Sequence, residues 1–278
     1  MKNPIYIIAV LVLTCNFLKA QNVKKELVAT KEAVYKYSYV SDSTDSSNPK
    51  ERFMSLLWGE DGSVFQLQNR HLQDSTILAD YKAGKERTIH IIGSLAPINE
   101  TNYQIYKADN KITTKESYLG NNILFNKEFL VYEEGIEDFD WSIKEDTATV
   151  ANLLCQKAEL NFGGRTWIAW FSSEIPIMDG PYKFQGLPGL IVSIADSQEY
   201  FRFDLISFSD VNKTVYNPIR KDEIVMKTTK KGFFSQRAYH RKNMYSILVA
   251  SGVYSATEEN RKKAQKITVE DNNHIEKQ

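Results

Sequence analysis

The chain has 278 residues, with 35 basic and 35 acidic side chains and 42% hydrophobic residues. Balanced charge argues against a dedicated nucleic-acid binder, which needs a basic stripe. Beyond the first twenty residues nothing approaches the ~18 consecutive apolar residues of a spanning helix, so no integral membrane span is expected.

The first element is a leader. Lys2 supplies a positive start, Ile5 to Leu13 form an apolar run, and Lys19-Ala20-Gln21 offers a small-residue boundary. This is the pattern of a secretory signal peptide over residues 1–20, too short for a comfortable span. Cys15 raises lipidation as a competitor, but Thr14 precedes it where a lipid site prefers a smaller residue, so cleavage near Ala20 is the stronger reading. Removing Lys2 and Lys19 leaves 33 basic against 35 acidic residues, a net of −2. Cys155 then stands alone and reads as a small buried hydrophobe rather than a reactive thiol.

Alternation of apolar and polar residues dominates the chain beyond the leader, as in half-buried strands. Val34 to Val40 sets Tyr35, Tyr37 and Tyr39 on one face. Phe53–Trp58 and Val64–Leu67 flank Gly59-Glu-Asp-Gly62, a hairpin in which Asp-Gly supplies the positive backbone angle. Leu72 to Tyr81 has helical spacing at Leu72, Thr76 and Ala79. Tyr103–Tyr106, Ile112–Tyr118 and Phe129–Tyr132 read as a meander, continued by Phe139–Ile143 and Val150–Leu160. Leu190, Val192 and Ile194 share one strand face, and Phe201, Phe203 and Leu205 share a face of the next. Phe234 to Leu248 is an amphipathic helix that docks through Phe234, Ala238, Tyr245 and Leu248. From Thr257 the chain is nearly all polar, and residues 257–278 are expected to be a disordered tail. No Pro/Gly linker divides residues 21–256, so one domain is expected there.

The segment from Phe139 to Asp196 carries a chain of motifs. Trp141 and Ile143 come first, then Cys155, Lys157 and Ala158, then Gly164, Arg165, Trp167, Ala169 and Trp170, then Ile175-Pro176. Gly180-Pro-Tyr-Lys-Phe-Gln-Gly-Leu-Pro-Gly-Leu-Ile191 closes the series. In order and spacing this resembles the GLPGLI family of exported proteins of Gram-negative envelopes. The resemblance implies a secreted or periplasmic location and proximity to an outer-membrane nutrient receptor; the family carries no assigned activity.

Residue by residue, the motif is a pair of turns. Pro188 fixes its own φ and pushes Leu187 toward an extended conformation, and Pro188-Gly189 is the chemistry of a type II turn. Gly180-Pro181 makes an earlier reversal, Gly186 and Gly189 permit close backbone approach, and Leu190-Ile191 enter a strand. Between the turns, alternation places Tyr182 and Phe184 on one side and Lys183 on the other. The stretch is either a rigid connection feeding the core or the rim of a ligand pocket. Trp167, Ala169 and Phe171 oppose Ile168 and Trp170, so both faces are covered or one lines a cavity. Arg165 pairs with Asp179 or another acid, or anchors an anionic ligand. The candidate ligand-binding set is therefore Arg165, Trp167, Trp170, Tyr182 and Phe184.

No nucleophile elbow, phosphate loop or zinc helix occurs, and His71, His90, His240 and His274 sit in no ligand spacing. The acidic run Glu133–Asp140 lacks the ligand order of an EF-hand and reads as a solvated loop. Neither cofactor nor metal is expected. The expected fold is mainly β: a curved antiparallel sheet or partial barrel with a C-terminal helix packed against it. The expected function is non-enzymatic binding of an apolar ligand or partner in the envelope. The alternatives are an accessory partner of an outer-membrane receptor and an unrecognised hydrolase.

Overall fold

Two-residue periodicity builds most of this chain. The computed structural model describes residues 26–84, 103–117, 128–136, 139–217, 223–250, 255–270 and 272–277. Residues 1–20, where a signal peptide is expected and which include Cys15, lie outside the described residues, as do His90 and Tyr118.

Glu26–Tyr39 (β1) sends Tyr35, Tyr37 and Tyr39 into the core. It pairs with Lys50–Gly59 (β2), which turns at Glu60-Asp61 into Gly62–Leu67 (β3). Gly62 takes φ 126, the positive angle expected of this Asp-Gly turn. Arg70–Lys82 (α1) comes next, then the meander Tyr103–Ala108 (β4), Lys111–Ser117 (β5) and Glu128–Gly135 (β6). Ser142–Val150 (β7), Leu153–Phe162 (β8), Arg165–Ser172 (β9), Leu190–Asp196 (β10) and Phe201–Tyr216 (β11) form the second half. Ile224–Lys227 (β12) precedes three helices, Lys230–Lys242 (α2), Met244–Ala250 (α3) and Glu258–Glu270 (α4). The β4–β5 and β7–β8 turns use Asp109-Asn110 and Ala151-Asn152, all four with φ between 49 and 62. Two successive positive angles match the twist of a hairpin, and Asn and Asp tolerate them best.

The strands form one sheet of twelve, in the order β12-β6-β5-β4-β3-β2-β1-β11-β10-β9-β8-β7. β12 runs parallel to β6, so the sheet is mixed, and β12 and β7 are its two edges, so it is open rather than closed. It is nonetheless strongly curled. β4 and β8 are seven strands apart, which in a flat sheet is about 34 Å at ~4.8 Å per strand. Tyr103 of β4 lies 5.5 Å from the Tyr182 ring, Tyr182 lies 5.9 Å from Phe184, and Phe184 lies 5.8 Å from Phe162 of β8. Three ring contacts thus span the whole distance. The hollow of the curl is filled by the Gly180–Gly189 segment, and one aromatic cluster joins both halves of the sheet.

Several expectations are corrected. Residues 139–141 are not strand; β7 starts at Ser142. The helix expected over Phe234–Leu248 is two helices, α2 and α3, divided at Asn243. Thr229 caps α2, accepting a hydrogen bond from Gly232 N, and Phe233 packs on Leu130 and Tyr132 of β6. The polar stretch from Thr257 is no disordered tail: it forms α4 and then Asn272–Lys277, whose Ile275 and Glu276 are buried. Charge density concealed this, because the buried Glu276 has partners of opposite sign far away in sequence. Cys155 is a buried free thiol whose pKa is raised by that burial, as its hydrophobic reading implies.

The two faces of β9 differ. Trp167 is fully buried with its indole N–H on the Phe162 carbonyl, whereas Trp170 is half-buried on the opposite face. We therefore expect Trp167→Ala to cost ~3–5 kcal/mol and Trp170→Ala under about half of that in urea unfolding. Equal losses would place both rings in the core.

Candidate functional site

The motif begins where β8 turns into β9. Gly163 and Gly164 take φ 59 and 72, and a Cβ on them would stand 2.8 Å from Glu276 Cγ and 2.9 Å from Lys277 Cβ. Both glycines therefore open a floor on which another stretch of chain lies. That stretch is Asn272–Lys277. Its Lys277 N–H donates to the Gly163 carbonyl at 2.7 Å, and its Asn272 and Asn273 N–H groups donate to Ser41 O. Asn273 Nδ2 donates to Val40 O, and Ile275 enters the main aromatic core.

Arg165, the first residue of β9, holds the middle of this segment. Its Nε and Nη2 donate to the His274 carbonyl at 3.1 and 2.7 Å, and Nη2 also reaches Asn273 Oδ1 at 2.6 Å. Its Nη1 pairs with Asp196 Oδ2 at 2.8 Å, and the guanidinium lies over the Phe201 ring. The pairing weighed with Asp179 does not form. Asp179 instead takes Lys107 Nζ at 2.6 Å, Ser63 Oγ and the Gly180 N–H. Lys107 also donates to the Gly180 and Phe184 carbonyls, which pins the motif's first turn to β4. Burial lowers the pKa of Lys107 despite the neighbouring Asp179.

Lys183 is the centre of the site. Tyr182 takes φ 54, which breaks the alternation, so Tyr182, Lys183 and Phe184 are all buried. The Lys183 ammonium donates to Tyr132 Oη at 2.7 Å, Glu134 Oε2 at 2.9 Å and Glu276 Oε1 at 2.5 Å. Three donors meet three acceptors, which satisfies a lysine with no exposed surface. Tyr182 Oη donates to the same Glu276 oxygen, and Lys230 of α2 pairs with Glu276 Oε2 at 2.8 Å. Glu276 thus sits between two ammonium groups and a phenol.

Electrostatics fix these charges. Burial works against ionised Lys183, but Glu276, Tyr132 and Glu134 outweigh it and hold its pKa above the ordinary value. Burial likewise pushes Glu276 up, yet Lys183 and Lys230 bring it down to about 2. Both shifts favour the charged forms of this pair, an ammonium at Lys183 and a carboxylate at Glu276. A depressed carboxyl pKa contributes stability above its unfolded value near 4.5, and that contribution is lost as pH falls toward about 2. We expect the stability advantage of the native chain over Glu276→Gln, roughly 3 kcal/mol at pH 7, to shrink steadily below pH 4.5. Urea midpoints of both proteins from pH 7 to 2.5 check this, and a constant gap would refute it.

Of the expected site residues, the structure brings Arg165 and Tyr182 onto the Asn272–Lys277 segment, with Phe184 packed between Tyr182 at 5.9 Å and Trp167 at 4.7 Å. Trp170 faces away, opposite Lys157 of β8. The Pro188-Gly189 turn is tighter than the expected type II form. Gly189 N–H donates to Leu187 O, Leu190 N–H goes to Ile175 O, and Gly189 has φ 148. Glu134, expected in a solvated loop, belongs to the Lys183 cluster. Among the described residues no group of metal-ligating side chains is assembled.

Residues 163–193 match a family described as Protein of unknown function (Porph_ging). The match opens at the glycine floor and closes within β10, so it includes Gly163, Gly164, Arg165, Tyr182 and Lys183 of the seat, while Val40, Ser41 and Lys230 lie outside it. Among solved structures, PNGF-II in a P21 crystal form is similar at a TM-score of 0.51 and 12% identity, over 77% of this chain and 34% of that one. A C2 form of PNGF-II is similar at a TM-score of 0.51 and 11% identity, over 77% and 33%. The chain spans about a third of the length of the PNGF-II chains, and the likeness is one of β-rich fold. No curated protein matches the sequence. No helix among the described residues is long and apolar enough to cross a membrane.

Proposed function

We propose that this chain is an exported, non-enzymatic binding protein of a Gram-negative envelope, of GLPGLI type, and that it binds a partner polypeptide rather than a free apolar molecule. The leader pattern over residues 1–20 and the motif series from Trp141 to Ile191 support the export and the family reading. One observation carries the choice of ligand class. Arg165, Tyr182 and Lys183 hold the chain's own non-strand segment Asn272–Lys277 through a backbone carbonyl and a carboxylate, while its Ile275 fills an apolar slot. Backbone hydrogen bonds combined with one side-chain pocket are the grammar of peptide recognition. The aromatic residues that would wall an apolar cavity are instead packed on one another, Trp167 and Phe184 without exposed surface.

An outer-membrane nutrient receptor is the partner this reading favours. Affinity capture from host envelopes, with the native chain and Lys183→Met in parallel, tests it. A receptor retained by the native chain and lost with Lys183→Met is the expected result. An apolar small molecule found in a solvent extract of the purified protein, with no receptor captured, would overturn it.

A further inference from the structure

The Asn272–Lys277 segment is held differently from the strands around it. No sheet ladder includes it; it is gripped by side chains and by isolated backbone bonds at its two ends. Its contacts fall into a readable code. An N-terminal asparagine bonds Val40 and Ser41, a carbonyl accepts from Arg165, a branched apolar residue enters the core, and a carboxylate meets Tyr182, Lys183 and Lys230. The receiving groups all lie on other elements: the chain just after β1, the β8–β9 turn, β9, the Gly180–Gly189 segment and α2. Lys183 keeps Glu134 and Tyr132 as partners whether or not Glu276 is present, and Arg165 keeps Asp196. The seat is therefore largely pre-formed without its occupant, which is the condition for exchange.

We infer that this seat is a peptide-binding site whose resident occupant is the chain's own Asn272–Lys277, and that a partner segment with a branched apolar residue directly followed by a carboxylate takes the same place in trans. This rests on the partner-binding reading and adds its regulation. The resident segment competes with the partner, so binding requires its release. The acid gives specificity, because a neutral residue at that position leaves Lys183 and Lys230 sharing a single carboxylate, Glu134.

The test uses the full exported chain, residues 21–278, with the resident segment unseated by Ile275→Ala and Glu276→Gln together. A fluorescein-labelled peptide of residues 271–277 is titrated by anisotropy. We expect the unseated variant to bind at least about tenfold more tightly than the native chain, whose seat is filled. A peptide carrying Gln at the acid position should lose about tenfold or more, and adding Lys183→Met should abolish binding. Equal binding of the Glu and Gln peptides, or no binding by a variant that still melts cooperatively, overturns the inference. Should the variant not fold, hydrogen exchange on the native chain decides. The Lys277 amide must exchange faster than the β1 and β11 core amides, and exchange only through global unfolding rules out release. The peptide titration needs no envelope partner, so a bound peptide without a captured receptor keeps the seat and removes the receptor reading alone.

Discussion

Lys183→Met is expected to destabilise the protein by ~3–5 kcal/mol, a fall in Tm on the order of 10 °C. Methionine nearly matches the lysine stem in volume and removes only the ammonium. What remains is the damage: Glu276 and Glu134 stay buried and acidic, and the Tyr132 hydroxyl loses its donor. Lys230 compensates in part, since it reaches Glu276 Oε2 at 2.8 Å and Glu134 at 3.5 Å. Its side chain is more than a third exposed, so solvent screens much of that attraction. The decisive measurement is a double-mutant cycle with Glu276→Gln in urea unfolding. If the penalty is an uncompensated charge, the double variant recovers at least ~1 kcal/mol over Lys183→Met alone. Additive losses would show that the two residues stabilise separate parts of the fold. Lys183→Met therefore reports on the same contacts that seat the Asn272–Lys277 segment.

Fold class was legible in the sequence because period-two alternation survives in the clearest strands, such as β9 and the first half of β11, although β10 is buried on both faces. Tyr35, Tyr37 and Tyr39 share the core face as their spacing implies, and so do Phe201, Phe203 and Leu205. The site was legible only in part. Arg165, Tyr182 and Phe184 stand out through the motif, but alternation set Lys183 opposite its neighbours and left it out of the candidate set. The left-handed backbone at Tyr182 turns it inward, and no period predicts a single positive φ on a tyrosine. Glu276 was hidden for a different reason. A segment rich in charge reads as solvated unless its counter-charges are known, and Lys183 lies 93 positions away. Likewise Asp179 looked like a partner for Arg165 by proximity, whereas the β3–β4 pairing brings Ser63 and Lys107 to it. Long-range pairing of buried charges is a product of topology, and topology is what one sequence encodes least openly.

Gly189→Ala should be the most damaging change in the motif, leaving little or no cooperatively folded protein, while Gly186→Ala should be tolerated at about 1–2 kcal/mol. The two glycines both have positive φ, 148 and 93, so alanine strains the backbone at each. They differ in space. A Cβ at Gly186 meets nothing within 4 Å. A Cβ at Gly189 would stand 2.2 Å from the Ser172 carbonyl oxygen, 2.6 Å from its carbon and 2.9 Å from Ser173 Cα. All three are backbone atoms at the end of β9, with no rotamer to move aside. Relief requires β10 to separate from β9 where Leu190 pairs with Ser172, and that separation pulls fully buried Leu190 and Ile191 off their neighbours. Tyr35 Oη, which donates to the Ile191 carbonyl, would lose its acceptor inside the core. The losses are coupled, since one shift of β10 causes them all. Far-UV circular dichroism and urea unfolding of the two variants side by side check the contrast. A Gly189→Ala protein as stable as Gly186→Ala would mean that the turn relaxes freely, and that the motif does not set the β9–β10 junction.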